Sequence, residues 1–129
     1  MRLTTIFVIV SALFVGGLLA QDDLAQYQPH MKAAAAASGA LRQAAAAKDA
    51  AAMTTNAGNM VTEFTWIGTF FQGKGKDDGV KFAAAAKAAA QAVVDAKTPD
   101  DQAAAAAKIA PNCGACHAVY RAGSAFKGM

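Results

Sequence analysis

Two cysteines and a histidine near the C-terminus form the pattern in this chain with the clearest chemical meaning. Residues 113–117 read Cys-Gly-Ala-Cys-His, and the chain has no cysteine besides Cys113 and Cys116. This is the pattern of c-type haem attachment, in which two thiols add to the haem vinyl groups and the histidine becomes an iron ligand. On a helix the three side chains fall within an arc of about 100°, so both thioether bonds and the imidazole face one porphyrin from one side. The pattern predicts one covalently bound haem c with His117 as its proximal ligand.

Two other uses of the cysteine pair fit the sequence less well. A thioredoxin-like redox dithiol is typical of a β-α-β pattern, and residues 21–129 show no strand pattern. A structural zinc site needs four ligands, for which the nominal set is Cys113, Cys116, His117 and His30. Because His117 directly follows Cys116, this spacing suits a tetrahedral site poorly. The haem interpretation is therefore preferred.

The composition favours a single all-helical domain. The chain has 129 residues and a mass of 13.1 kDa, with 55% hydrophobic residues, 16% charged residues and a formal charge of +3. Alanine dominates, and it is the best helix former because it loses almost no side-chain entropy on folding. The small lysine excess contains no long basic run, so nucleic acid is not expected as a partner. No nucleophile with a placed base is found, and an enzyme is not indicated.

Residues 1–20 have the features of a secretory signal peptide. A single charge at Arg2 precedes an apolar run over residues 6–19, and the small residue Ala20 is followed by polar residues. Cleavage after Ala20 leaves a mature domain of residues 21–129 in the periplasm, with no stable membrane span. A retained short anchor is the alternative, since the apolar run has about 14 residues.

Four helical segments are predicted, and the first two are defined by their apolar spacing. The first begins at Pro29, which suits a first turn, and runs to about Lys48. Its predicted stripe is Met31, Ala35, Ser38, Arg42 and Ala45. The second has the clearest heptad pattern, which is formed by Met53, Ala57, Met60, Phe64, Ile67 and Phe71.

Helix-starting residues define the other two segments. After a predicted loop over residues 72–76, Asp77 or Asp78 can cap a third helix with the stripe Phe82, Ala86, Ala89 and Val93. Thr98 and Pro99 predict the start of a fourth helix, in which Pro111 predicts a kink or a fresh start. Four such segments with short connections predict an antiparallel four-helix bundle that holds a cofactor between facing helices.

Residues 113–121 read Cys-Gly-Ala-Cys-His-Ala-Val-Tyr-Arg and lie close to the C-terminus. Together with the signal peptide and the four helical segments, this block resembles the class II c-type cytochromes, the group that contains cytochrome c prime and its low-spin relatives. The resemblance implies a role beside the haem for Arg121, four residues after the haem histidine. It also implies that a residue of the first helix, often methionine, lies over the distal face of the haem. Residues 27–32, Tyr-Gln-Pro-His-Met-Lys, are similar to that stretch, so Met31 is the candidate distal residue.

Three roles of the residues near the distal face remain open. The thioether of Met31 is a soft donor that suits haem iron, and it raises the reduction potential when paired with histidine. Met31 as a packing residue is the alternative. His30 is a second candidate ligand, but adjacent helical residues diverge by about 100°, so at most one of the two faces the iron.

The leading functional hypothesis is a periplasmic electron carrier whose iron is held by His117 and Met31. The alternative is a gas-binding protein of the cytochrome c prime type, with five-coordinate iron that takes nitric oxide or carbon monoxide. Redox proteins are the expected partners, with Lys74, Lys76 and Lys81 as candidates for steering an acidic one, and a homodimer is left open. The aromatic residues Phe64, Trp66, Phe70 and Phe71 suit either haem packing or the core.

Overall fold

The structure is a computed structural model that describes the backbone of residues 6–123 and 125–127, with side chains described for residues 23–123, 126 and 127. These residues form five helices, namely α1 (Ile6–Ala47), α2 (Ala50–Gly73), α3 (Asp77–Asp95), α4 (Pro99–Ala106) and α5 (Ile109–Tyr120). Two short strands follow, β1 (Arg121–Ala122) and β2 (Ala125–Phe126), and they pair antiparallel. The prediction of an all-helical bundle is confirmed, with a small hairpin after the last helix.

Short connections make consecutive helices reverse direction. Asp23 of α1 pairs with Lys74, the residue after α2, and His30 of α1 pairs with Glu63 of α2, so α2 runs back along α1. The third helix packs along α2 and also against α4 and α5. Together α4 and α5 occupy the place of the predicted fourth helix.

The first helix differs from the prediction in both its start and its buried face. It does not begin at Pro29 but runs continuously through that residue. The buried residues of α1 are Tyr27, Ala34, Ala37, Leu41 and Ala44. The predicted stripe is wrong, since Ala35 and Arg42 are exposed. From Ala34 to Ala44 the buried face lies one residue before the predicted stripe, and alanine on both faces gives the sequence no means of telling the two apart.

The predicted signal peptide falls on residues 1–20, whose side chains lie outside the described part of the chain. Cleavage after Ala20 therefore stays a prediction. Within the described ranges, none of the helices combines the length and the hydropathy that a membrane crossing requires.

The second helix confirms the heptad pattern. Its buried residues are Met53, Ala57, Met60, Phe64, Ile67 and Phe71. The side chain of Asp49 accepts a hydrogen bond of 3.0 Å from the backbone nitrogen of Ala52, and so caps the first turn. The helix continues to Gly73, so the loop before α3 is shorter than predicted, and Gly75 makes its turn at a φ of 65°.

The third helix is present where predicted, with a different start and a shifted face. Its N-cap is Lys76, while Asp77 and Asp78 lie in the first turn. The buried residues of α3 are Gly79, Ala83, Ala86, Ala90 and Val93. Of these, only Ala86 and Val93 belong to the predicted stripe. Gly79 lets α3 approach α2 closely, because a Cβ built there would lie 2.3 Å from the Phe71 ring. Small residues therefore set the distance between these two helices.

The break before the Cys-Gly-Ala-Cys-His motif lies slightly earlier than predicted. Thr98 caps α4 as expected, accepting a hydrogen bond of 3.1 Å from the backbone nitrogen of Asp101. A turn at residues 107–108 ends α4, and α5 begins at Ile109. Pro111 is thus the third residue of α5, where a backbone nitrogen has no helical partner in any case. The predicted fresh start is confirmed, and Pro111 costs the new helix little.

Candidate cofactor site

The fifth helix carries the three residues of the predicted haem motif on one side. Cys113, Cys116 and His117 are all half-buried and lie in the middle of α5. The buried residues of α5, Ile109 and Tyr120, are at its two ends. The ends of the helix therefore anchor it, and between them Cys113 and Cys116 touch the core and also border unfilled space.

That space consists of two cavities, which we call the outer and the inner cavity. The outer cavity has a volume of about 290 Å³ and separates α1 from the C-terminal end of α5. It is lined by Leu24, Tyr27, Gln28, Met31, Lys32, Ala35, His117, Tyr120, Arg121 and Phe126. The inner cavity has a volume of about 20 Å³ and lies inside the bundle. It is lined by Tyr27, Met31, Phe64, Ile67, Phe82, Ala83, Ala86, Asn112, Cys113, Cys116 and His117.

Met31 and His117 line both cavities, Met31 from α1 and His117 from α5. The two cysteines line the inner cavity alone. A thioether, an imidazole and two thiols therefore surround a mostly apolar gap between two helices. The structure brings together four of the five predicted site residues in this way.

The fifth predicted residue, Arg121, also reaches this site but not from a helix. It was expected one helical turn after His117, yet its backbone is extended, because α5 ends at Tyr120. Its Nε donates a hydrogen bond of 2.6 Å to the carbonyl oxygen of Gly123. The side chain lines the outer cavity, so Arg121 keeps its place beside His117.

His30 is held away from both cavities. Its Nδ1 lies 2.6 Å from a carboxylate oxygen of Glu63, and its ring stacks on Trp66 at a centroid distance of 3.7 Å. Trp66 in turn stacks on Phe70, and it lines neither cavity. Consequently His30 does not join Met31 as a neighbour of His117. Within the described part of the chain, no group of three or more histidine, cysteine and acidic side chains is placed to hold a metal ion.

Burial controls the protonation of the motif residues. It raises the pKa of the Cys116 thiol to about 11, and it also raises the pKa of Cys113. Reactive redox dithiols have lowered pKa values, so these thiols do not have the properties of a thioredoxin-like pair. Burial, together with the charge of Arg121, lowers the pKa of His117. The imidazole is therefore neutral at pH 7, which is the form that binds a metal.

We expect the thiols of the folded, haem-free chain to be alkylated slowly at neutral pH. The thiolate is the reactive form, and a pKa of about 11 in place of 9.0 lowers its fraction about a hundredfold at pH 8. The rate should rise with pH up to the raised pKa, as measured by iodoacetamide labelling and mass spectrometry. The same chain in denaturant is the control, and equal rates at pH 8 in both conditions would contradict the prediction.

Tyr120 and Asp78 are site residues that the sequence interpretation missed. The Tyr120 hydroxyl donates a hydrogen bond to the Asp78 carboxylate, which ties α5 to the start of α3. This bond lowers the pKa of Asp78, while burial and the carboxylate raise the pKa of Tyr120 to about 12. Asp78 was expected as a possible helix cap; it lies in the first turn and not at the N-cap position, and its carboxylate accepts a hydrogen bond of 2.8 Å from the backbone nitrogen of Gly79. The two residues are 42 positions apart, so no local pattern joins them.

An aromatic cluster closes the cavities on the side of Tyr120. The Phe71 ring lies 4.7 Å from that of Tyr120 and 5.8 Å from that of Tyr27, measured between centroids. Phe126, from the C-terminal hairpin, lies 4.8 Å from Tyr27. Of the four aromatic residues singled out from the sequence, Phe71 and Phe64 are core residues, and Phe64 also lines the inner cavity.

Comparison of the chain with family models, with curated proteins and with solved structures gave no match.

Proposed function

We propose that residues 21–129 form a monohaem c-type cytochrome that carries electrons between redox proteins of the periplasm. Cys113 and Cys116 would hold the haem through thioether bonds, with His117 as proximal and Met31 as distal ligand. The observation that supports this most is the shared cavity, which Met31 and His117 line from two separate helices. The sequence of residues 1–20 supports export.

The donor set of the cavity fits haem iron. A neutral imidazole and a soft thioether are the ligands of electron-transfer cytochromes, and both line one gap here. Phe64, Ile67 and Phe82 supply apolar walls on the inner side, next to the two cysteines. The raised pKa values of the two thiols keep their thiolate fractions small, which disfavours disulfide exchange as their function.

Haem, when bound, supplies a one-electron iron couple, and the chain supplies the environment. Met31 packs against the bundle core, and His117 lies on α5, whose end residues Ile109 and Tyr120 belong to that core. Ligands that keep their positions in both oxidation states reduce the rearrangement that accompanies each electron. On the inner side, the apolar walls would reduce the access of water, which competes with the weak thioether.

The proposal is tested by producing the full chain in bacteria that carry haem-maturation machinery. We expect a mass increase of one haem and a haem signal that survives a denaturing gel. The variant Cys113→Ala/Cys116→Ala should lose both signals. The matched control Ala118→Ser, at the exposed position directly after His117, should keep both. A wild-type chain that leaves the machinery without haem, in a folded state, would overturn the proposed function.

A further inference from the structure

The outer cavity has two cationic side chains on its lining, one from each of its walls. Lys32 follows Met31 on α1, and Arg121 begins β1 directly after α5. Both residues are exposed, whereas Tyr27 and Tyr120, which line the same cavity, are buried. The two cations therefore lie at the exposed mouth of the cavity, as Gln28 and Ala35 do, and the two tyrosines lie deeper.

Neither cation is neutralised within the described part of the chain. The ion pairs there join His30 to Glu63, Lys48 to Asp100 and Lys74 to Asp23. Arg121 uses its Nε on the Gly123 carbonyl, and its Nη atoms have no hydrogen-bond partner among the described residues. Two cations at one opening repel each other, so an anion between them would lower the electrostatic energy. The carboxylates of Asp23 and Asp78 do not line the cavity, because they are bound to Lys74 and Tyr120.

We propose that Lys32 and Arg121 bind the anionic edge of the cavity's ligand, which, resting on the proposed function, is the pair of haem propionates. A haem is a large apolar disc with two carboxylates on one edge, and the outer cavity is an apolar gap with two cations at its mouth. The planar guanidinium group of Arg121 can donate two hydrogen bonds to one carboxylate, and the ammonium group of Lys32 attracts a carboxylate as a point charge. The two residues fix which edge of the porphyrin points to solvent while Met31 and His117 face its centre.

The first test uses the folded, haem-free full chain with two porphyrins that differ only in charge. Iron protoporphyrin and its dimethyl ester, in which both propionates are blocked, are titrated by absorbance into each protein. We expect wild type to bind the diacid about tenfold more tightly than the dimethyl ester. Two partly exposed ion pairs of typical strength together account for a difference of this size. Lys32→Gln/Arg121→Gln should bind both porphyrins with nearly equal affinity. Lys81→Gln/Lys87→Gln, which removes two exposed lysines outside the cavity, should keep the preference.

The second test uses the haem-loaded protein and separates charge from structure. Removing a cation near the iron favours the ferric form, so Lys32→Gln should lower the reduction potential relative to wild type and to Lys81→Gln. The shift should shrink at high salt, because screening weakens the interaction that was removed. Lys32→Arg and Arg121→Lys, which keep the charge, should restore the potential.

The outcomes distinguish the two proposals. An unchanged preference for the diacid in Lys32→Gln/Arg121→Gln, with helicity preserved, would overturn the anion site and leave the cytochrome proposal standing. A wild-type chain that binds neither porphyrin and acquires no covalent haem would overturn both. A potential shift in Lys32→Gln that is unchanged at high salt would show a structural effect and would also overturn the anion site.

Discussion

Replacing Met31 by alanine in the haem-loaded protein is expected to convert low-spin iron to high-spin iron that binds carbon monoxide. Met31 lines both cavities with His117, and alanine at this position offers no donor atom. Loss of the thioether also removes the ligand that raises the reduction potential, so the potential should fall. Absorption spectra of the ferric, ferrous and ferrous carbon monoxide forms measure the change, together with a redox titration.

Leu24→Ala is the matched control for Met31→Ala. Leu24 lies on α1 and lines the outer cavity without a donor atom, so its removal should leave the iron low-spin. Met31→His should restore a six-coordinate spectrum at a lower potential, because imidazole is a stronger donor than a thioether. If wild type is itself high-spin and binds carbon monoxide, then Met31 is a packing residue. The gas-binding alternative would replace electron transfer in that case.

Replacing Phe71 by alanine is expected to lower the free energy of unfolding by about 3–5 kcal/mol. Phe71 is 0% exposed and packs against Tyr27, Phe70, Tyr120 and Phe126. Its removal leaves a cavity between α2 and α3 and loosens the aromatic cluster beside the site. Since small domains are stable by about 5–15 kcal/mol, this is a large share of the total. Urea denaturation followed by circular dichroism measures it.

Two further variants make the Phe71 prediction specific. Phe70→Ala, at the half-buried neighbouring position, should cost clearly less than Phe71→Ala. Gly79→Ala alone should destabilise, since its Cβ would lie 2.3 Å from the Phe71 ring. The double variant Phe71→Ala/Gly79→Ala should lose less free energy of unfolding than the sum of the two single variants, because the added methyl group no longer meets the Phe71 ring. A loss of less than 1 kcal/mol for Phe71→Ala, or strict additivity, would contradict this account.

Residue size decided how much of the fold could be predicted from the sequence. In α2, Met60, Phe64 and Ile67 stand out from their neighbours, and the predicted buried face is the observed one. In α1 and α3, alanine occurs on both the buried and the exposed faces, as at Ala34 and Ala35. Such segments predict a helix but do not indicate which of its sides faces the core. The phase of these helices is set by their packing against α2, which no local pattern contains.

The same distinction applies to the site. The Cys-Gly-Ala-Cys-His motif could be recognised in the sequence because its five residues are contiguous. Met31 was predicted as a site residue from the resemblance to a family. Lys32 could not be distinguished from the other lysines by sequence, because its proposed role depends on Arg121, which lines the same cavity. The hydrogen bond of Asp78 could not be predicted either, since its partner Tyr120 belongs to a different helix.

The turn at residues 107–108 has a consequence for the order of folding and cofactor attachment. It separates α5 from α4, and a 12-residue helix has little stability of its own. Ile109 and Tyr120, at 2% and 4% exposure, join the two ends of this helix to the same core as α1, α2 and α3. Because only these two residues of α5 are fully buried, we expect this helix to open more readily than α1, α2 and α3, which hydrogen exchange would measure. Under the proposed function, such an opening would expose both thiols to an attachment enzyme without unfolding of the whole chain.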